Sequence, residues 1–276
     1  MRRPLIGYRN LWADFEKCIL EVFVLALQKL RDKTTLPTDE DSVRSIDSLN
    51  RRLNICLRDA IREWETINGI DIVATPKSNL AKQPDLENEE LINDYERTKP
   101  DFQWEFIDKL GNPNNHNSVY KNYEIECKRL GKDLSAKRKL NEKYVSEGIL
   151  RFTTNSHCYG QFTSSGLMIG YVQNTDLQII LNEVNSSLVS LSLPELIISP
   201  KGWEKDVSRL DHKLDRPDIE PTPFELRHLW VDLHHHYQHQ QSSSSPLKKG
   251  STRKKSTAQK SKSLKGKPNK DSSVAE

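Results

Sequence analysis

Two alternating segments joined by a turn cluster constrain this chain more than anything else in it. Lys99-Pro100-Asp101-Phe102-Gln103-Trp104-Glu105-Phe106 puts Phe102, Trp104 and Phe106 on one side of an extended chain and Asp101, Gln103 and Glu105 on the other. Tyr123-Glu124-Ile125-Glu126-Cys127-Lys128 repeats the alternation, and Gly111-Asn112-Pro113-Asn114-Asn115 lies between the two runs. A period of two belongs to a strand whose faces meet different surroundings. The pair therefore predicts a β-hairpin with one apolar face and one polar face.

The flanking segments change period. Leu11, Phe15, Ile19, Val22, Ala26 and Leu30 recur at helical spacing, as do Ile46, Leu49, Leu53, Leu57, Ile61 and Trp64, and Asn68-Gly69 supplies a stop. These two helices are expected to pack as a hairpin of their own. A short strand is expected near Ile70, Ile72 and Val73, and a loop leading into a short helix over Lys82–Asn93. A helix is expected within Asp133–Phe152, a buried strand at Gly166–Val172, a helix at Asp176–Leu188, a short strand within Pro194–Pro200 and a last strand at Phe224–Asp232.

Charge separates body from tail. Residues 241–276 carry ten Lys/Arg and two Asp/Glu, which leaves 32 basic and 37 acidic groups, net −5, in residues 1–240. The tail holds almost no large apolar side chain, so it cannot offset the entropy of ordering and is expected to be disordered. Flexible cations of this kind neutralise phosphates without reading sequence, so the tail is a candidate nucleic-acid contact. No run of eighteen apolar residues is present, no apolar segment follows the basic opening residues, and the four cysteines form no C-x-x-C pair. These features predict a soluble cytoplasmic protein with neither a disulfide framework nor a zinc ribbon.

The chemistry is expected on the polar face of the hairpin. Residues two apart on a strand project the same way at about 7 Å intervals, so Glu124, Glu126 and Lys128 form a row, with Asp101 at the head of the paired strand. Carboxylates held together raise one another's pKa unless a cation neutralises them. A hard divalent ion such as Mg2+ takes oxygen ligands of this kind, and a neighbouring lysine can orient an attacking water or stabilise phosphoryl charge. Together they suit metal-assisted phosphodiester hydrolysis. A solvated sheet face with a surface ion pair is the plain alternative.

Pro100-Asp101, followed by Glu126-Cys127-Lys128, resembles the PD-(D/E)xK, or restriction-endonuclease-like, nuclease superfamily. The succession of helix, three strands, helix and strand expected across residues 46–172 is similar to that fold's core. Tyr144-Val145-Ser146-Glu147-Gly148-Ile149-Leu150-Arg151-Phe152 and Gly166–Val172 also look like bacterial nuclease-like proteins of anti-phage defence systems. The resemblance implies an α/β fold with a mixed central sheet flanked by helices. It implies an Mg2+-dependent DNA nuclease, Mn2+ being a possible substitute, in a phage-defence or restriction system. Asp101 and Glu126 would be metal ligands, Glu124 an auxiliary one, and Lys128 the residue that orients the water. Families of this kind often add a glutamate from the preceding helix, a place that Glu63, Glu65 or Glu96 could fill. The domain division expected is a helical extension at 1–68, a nuclease core at 69–240 and a tail at 241–276. A non-catalytic nucleic-acid-binding or assembly subunit with the same fold is the second reading, and RNA is a less favoured substrate. A controlling protein partner is expected on biological grounds, because an unregulated nuclease endangers its own cell.

Other reactive residues have plainer readings. His234-His235-His236-Tyr237-Gln238-His239 reads as a polar domain end, His228 as a packed histidine, and His157-Cys158 has no supporting elements for a cysteine hydrolase. Arg129, Lys132, Arg138 and Arg151 follow the motif and could track a phosphate backbone.

Overall fold

A computed structural model describes residues 11–32, 46–72, 75–78, 99–132, 139–200, 202 and 207–241. Within them the chain forms an α/β structure around a seven-stranded mixed sheet flanked by helices. The first helices, α1 (Leu11–Asp32) and α2 (Ile46–Asn68), bury the two apolar stripes that their spacing predicts. Gly69 then turns the chain at φ 66°, a left-handed conformation that glycine adopts without a Cβ penalty, and its N–H closes on Glu65 O at 2.9 Å.

The strands are β1 (Lys77–Ser78), β2 (Phe102–Ile107), β3 (Tyr120–Leu130), β4 (Ser165–Val172), β5 (Ile197–Ile198), β6 (Val207–Leu214) and β7 (Phe224–Asp232), in the spatial order β1-β2-β3-β4-β7-β6-β5. The hairpin forms as its alternation predicts: β2 and β3 are antiparallel, with Phe102 opposite Ile125 and Gln103 opposite Glu124. A short helix, α3 (His116–Val119), closes the turn, and Lys121 Nζ donates to Asp108 Oδ2 at 2.8 Å across its base.

Strand β3 pairs in parallel with β4, and β4 in parallel with β7. Parallel neighbours require crossovers. The first runs through α4 (Leu140–Ser146) and a 3-10 turn at Ile149–Phe152; the second includes α5 (Leu177–Ser190), whose N-cap Asp176 accepts from Gln178 N at 2.8 Å. Strand β4 is buried along its whole length because both faces of the sheet are covered, which accounts for its continuous apolar run.

Each face has its own core. On one, α1 and α2 cover Phe102, Trp104, Tyr123, Ile125, Cys127, Ile169 and Leu229. Aromatic rings lock that contact, with Phe15 and Phe106 centroids 4.9 Å apart and Phe23 and Phe102 6.1 Å apart. On the other, α4, the 3-10 turn and α5 pack over Leu130, Met168, Val172, Leu210 and Trp230. The row Glu124, Glu126, Lys128 faces this second layer.

Several expectations differ in detail. The short strand after α2 lies at Lys77–Ser78, whereas Ile70 and Ile72 pack against the core without pairing, and Val73 lies outside the described residues. The expected single helix before Phe152 divides at Glu147-Gly148, because the chain there presses against the sheet. A Cβ on Gly148 would lie 2.4 Å from Tyr144 O and 2.5 Å from Met168 Cε. Strand β6 carries no clear alternation in the sequence: Ser208, Leu210, His212 and Leu214 are its buried face, and a serine and a histidine in that set obscure the apolar period. The histidine tract is a helix, α6 (His234–Gln241), anchored by Thr175 N donating to His234 Nε2 at 2.8 Å and by Gln173 Nε2 donating to Tyr237 Oη at 2.8 Å. The loop and helix expected over Lys82–Asn93, residues 133–138 and the basic tail beyond 241 lie outside the described residues. No helix among the described residues is long and apolar enough to cross a membrane.

Candidate active site

The polar row on β3 is not a solvated sheet face. Glu126 is 1% exposed and Glu124 4%. Lys128 Nζ donates to Glu126 Oε1, and Arg151 Nη1 reaches the same oxygen at 2.9 Å from the 3-10 turn. The second carboxylate oxygen, Glu126 Oε2, is buried without a hydrogen-bond partner. A buried carboxylate oxygen left in that state is costly, so this atom marks a position where a ligand would be welcome.

Asp101 stands just before β2, one position beyond the Phe102–Ile125 pair, which brings it beside the end of the row. Its Oδ2 accepts from Cys127 N at 2.7 Å and its Oδ1 from Asn50 Nδ2 at 2.8 Å. Asn50 is itself buried, and its Oδ1 accepts from Tyr171 Oη at 2.9 Å. Helix α2, the two hairpin strands and β4 thus meet at one carboxylate.

Electrostatics reflect this crowding. Burial, reinforced by the Asp101 charge, raises the Glu126 carboxyl from 4.5 to about 7, against the opposing pull of Lys128 and Arg151. Burial also raises Asp101, with Lys128 and the Cys127 N–H acting the other way. Two acids at raised pKa thus stand beside Lys128 and Arg151.

Asp101, Glu126 and Lys128 are therefore brought together. Glu124 shares their face, but its Oε2 accepts from Gly160 N at 2.5 Å and its charge acts on Arg216. Arg216 is 1% exposed and donates to Phe152 O, Tyr159 O, Gly160 O and Pro221 O, while its guanidinium lies 3.8 Å from the Phe224 ring centroid. Glu124 and Arg216 accordingly clamp the segment that follows the 3-10 turn. That segment carries Tyr159, whose hydroxyl accepts from Arg151 Nη1 at 3.3 Å.

Of the glutamates considered on the preceding helix, Glu63 pairs with Lys29 at 2.5 Å and Glu65 accepts from Ile72 N at 2.8 Å. Both stand near the far end of α2, and thirteen residues of helix separate Glu63 from Asn50 by about 20 Å. Glu96 lies outside the described residues. The helix meets Asp101 at its opposite end, through Asn50, and exposed Asp47 one turn earlier adds its charge to the forces on Asp101. Asn50 was legible only as a polar residue inside an apolar stripe, beside Leu49 and Leu53.

Of the basic residues after the motif, Arg151 enters the site. The Lys132 backbone N–H donates to Asn174 Oδ1 at 2.8 Å, and Arg138 lies outside the described residues. His228 is a packed core residue. Trp230 Nε1 donates to Tyr144 Oη at 2.9 Å, which leaves the tyrosine proton for His228 Nδ1 at 2.7 Å. Cys158 donates its thiol to Asn155 O at 2.9 Å, and His157 Nδ1 lies 3.0 Å from Ser156 Oγ.

Among the described residues, no three His, Cys, Asp or Glu side chains gather in a metal-binding group. Asp101 and Glu126 offer two carboxylates, which fits the habit of Mg2+ to take one or two and fill its other positions with water and substrate oxygens. Comparison of the chain with protein-family models, with curated proteins and with solved structures finds no match, so the functional reading rests on these residues alone.

Proposed function

We propose that this protein is a metal-dependent nuclease that hydrolyses DNA phosphodiester bonds. The observation that carries the reading is the buried Glu126 carboxylate, with one oxygen shared by Lys128 and Arg151 and the other without a partner, beside Asp101. The order of helix α2, strands β1, β2 and β3, helix α4 and parallel strand β4 supports a restriction-endonuclease-like core, as the motif resemblance implies.

Asp101 and Glu126 would hold the cation, which when bound supplies Lewis acidity toward a phosphodiester oxygen. Lys128 orients the attacking water and meets the negative charge that develops on the phosphoryl group as the new P–O bond forms and the ester bond breaks. Asn50 keeps the Asp101 carboxylate aimed, and the Cys127 N–H holds its other oxygen. Glu124, tied to Gly160, secures the adjoining segment and acts as an anchor in this reading. A role in phage defence or restriction remains what the sequence resemblance suggests.

The test is cleavage of supercoiled plasmid and of single-stranded DNA with Mg2+ or Mn2+, with EDTA as control. Wild type is expected to nick DNA only with metal, and Asp101→Ala and Lys128→Ala to lose cleavage while keeping the fold by circular dichroism. Unchanged cleavage in both variants removes the assignment. Metal-independent DNA binding without cleavage under any condition favours a non-catalytic subunit instead.

A further inference from the structure

Residues 153–165 lead from the 3-10 turn into β4, and three of them hold a left-handed backbone: Cys158 at φ 48°, Gly160 at φ 70° and Phe162 at φ 67°. Glycine suits that region, whereas a bulky side chain there is strained. The conformation at Phe162 is imposed by its neighbours. Glu124 accepts from Gly160 N, Arg216 donates to Gly160 O, and the Phe162 N–H donates to Glu220 O at 3.3 Å. Thr163 N closes back on Gly160 O at 3.3 Å. A phenyl ring contributes to a fold mainly through burial, yet Phe162 is 47% exposed and belongs to neither core cluster. Strain that packing does not offset is characteristic of functional positions.

The surroundings of this ring suit a polyanion. Residues 153–165 contain no Asp or Glu, in a body whose net charge is −5. The same segment carries Tyr159, whose hydroxyl accepts from Arg151 of the candidate active site. Gly160, two residues before Phe162, is bonded to Glu124, and Glu124 precedes Glu126 by two residues on one face of β3. These links hold Phe162 within about 20 Å of Glu126. A stacked DNA strand covers that span in about six nucleotides, so one strand can reach both places.

We propose that Phe162 is a stacking platform for an unpaired base, and that the protein therefore takes single-stranded DNA. The inference rests on the nuclease reading and names the class of its substrate. An aromatic face stacks on any base, but only on one that has left the duplex, so it selects strand state and not sequence. The bonds from Glu124, Arg216 and Glu220 fix the segment before DNA arrives, so little freedom is lost on binding.

The experiment measures the affinity of the full chain for a short single strand of DNA and for the matching blunt duplex, by fluorescence anisotropy in EDTA so that nothing is cleaved. The salt is raised to about 0.3 M to screen contacts of the basic tail. Wild type is expected to bind the single strand about tenfold more tightly than the duplex. Phe162→Leu keeps an apolar side chain and the same backbone strain but has no aromatic face. It is expected to lose about tenfold on the single strand and less than about twofold on the duplex. Phe162→Tyr keeps the face and should stay within about twofold of wild type on both. Equal urea midpoints for the two variants separate loss of stacking from loss of fold. Unchanged single-strand affinity in Phe162→Leu, an equal loss on both forms of DNA, or the same loss in Phe162→Tyr overturns the proposal. Metal-dependent cleavage alongside any of those results keeps the nuclease assignment and removes only this contact. Stacking through Phe162 in a chain that cleaves under no condition keeps the contact and removes the assignment.

Discussion

Asn50 and Asp101, 51 residues apart in sequence, are joined by a 2.8 Å hydrogen bond from the Asn50 amide to the Asp101 carboxylate. The same asparagine accepts from Tyr171 Oη at 2.9 Å, so one buried side chain connects helix α2, the hairpin and strand β4. Replacing it with leucine conserves approximate volume and leaves the part-buried Asp101 carboxylate and the buried Tyr171 hydroxyl each short of a partner. Asn50→Leu is expected to destabilise the fold by about 2–4 kcal/mol, read as a lower urea midpoint at unchanged slope.

The raised carboxyl of Glu126 makes stability depend on pH in a defined direction. Its pKa moves from 4.5 to about 7, so between those values the folded protein holds a proton that the unfolded chain releases. The stabilisation is complete below about pH 4.5 and is lost as pH rises through about 7. His212, lowered from 6.5 to about 4 by burial, pulls the opposite way, since its contribution is lost as pH falls through that window. Comparison of Glu126→Gln with wild type isolates the first effect: the variant should gain stability relative to wild type as pH rises from 5 to 8. A constant difference between the two across that range would contradict the placement of Glu126.

Metal affinity should follow the same titration. A cation on Glu126 competes with its proton, so Mg2+ or Ca2+ binding is expected to strengthen as pH rises toward and past 7, with proton release measurable by calorimetry in buffers of different ionisation enthalpy.

Gly148 sets the distance between the α4 crossover and the site. A Cβ there would meet Tyr144 O at 2.4 Å and Lys128 Cγ at 3.3 Å, and the backbone oxygen cannot move aside as a flexible side chain can. Gly148→Ala is expected to cost about 1–3 kcal/mol and to lower cleavage by more than its loss of folded protein explains, because the stem of Lys128 is displaced.

Arg216 is a second long-range clamp. Its guanidinium donates to four backbone carbonyls from three positions on one segment and one on another, Phe152, Tyr159, Gly160 and Pro221. Arg216→Met keeps the stem and removes every one of these bonds, so a loss of about 3 kcal/mol or more is expected in thermal or urea unfolding. Proteolysis should open first near residues 153–164.

The hairpin could be read from the sequence because a period of two is a local signal. Phe102, Trp104 and Phe106 needed an apolar cover, and Glu124, Glu126 and Lys128 had to share the other face. The stripes of α1 and α2 and the continuous apolar run of β4 were equally local, since burial of each element selects its own periodicity. The candidate acids and lysine followed from that same alternation. Strand β6 escaped because His212 and Ser208 occupy buried positions that periodicity expects to be apolar, and their burial depends on what β7 and the layer above present to them.

Partners of the polar groups were decided by tertiary structure. Nothing local distinguishes Glu124 from Glu126, yet one closes on Gly160 and the other is caught between Lys128 and Arg151. Nothing in α2 favours Asn50 over Glu63 until the helix is laid across the sheet and its first turns, rather than its last, meet Asp101. Apolar burial is non-directional and sums over a segment, so the sequence displays it as a pattern. Hydrogen bonds and ion pairs need particular atoms at particular distances, and those distances exist only once strand register and crossover packing have brought remote residues together.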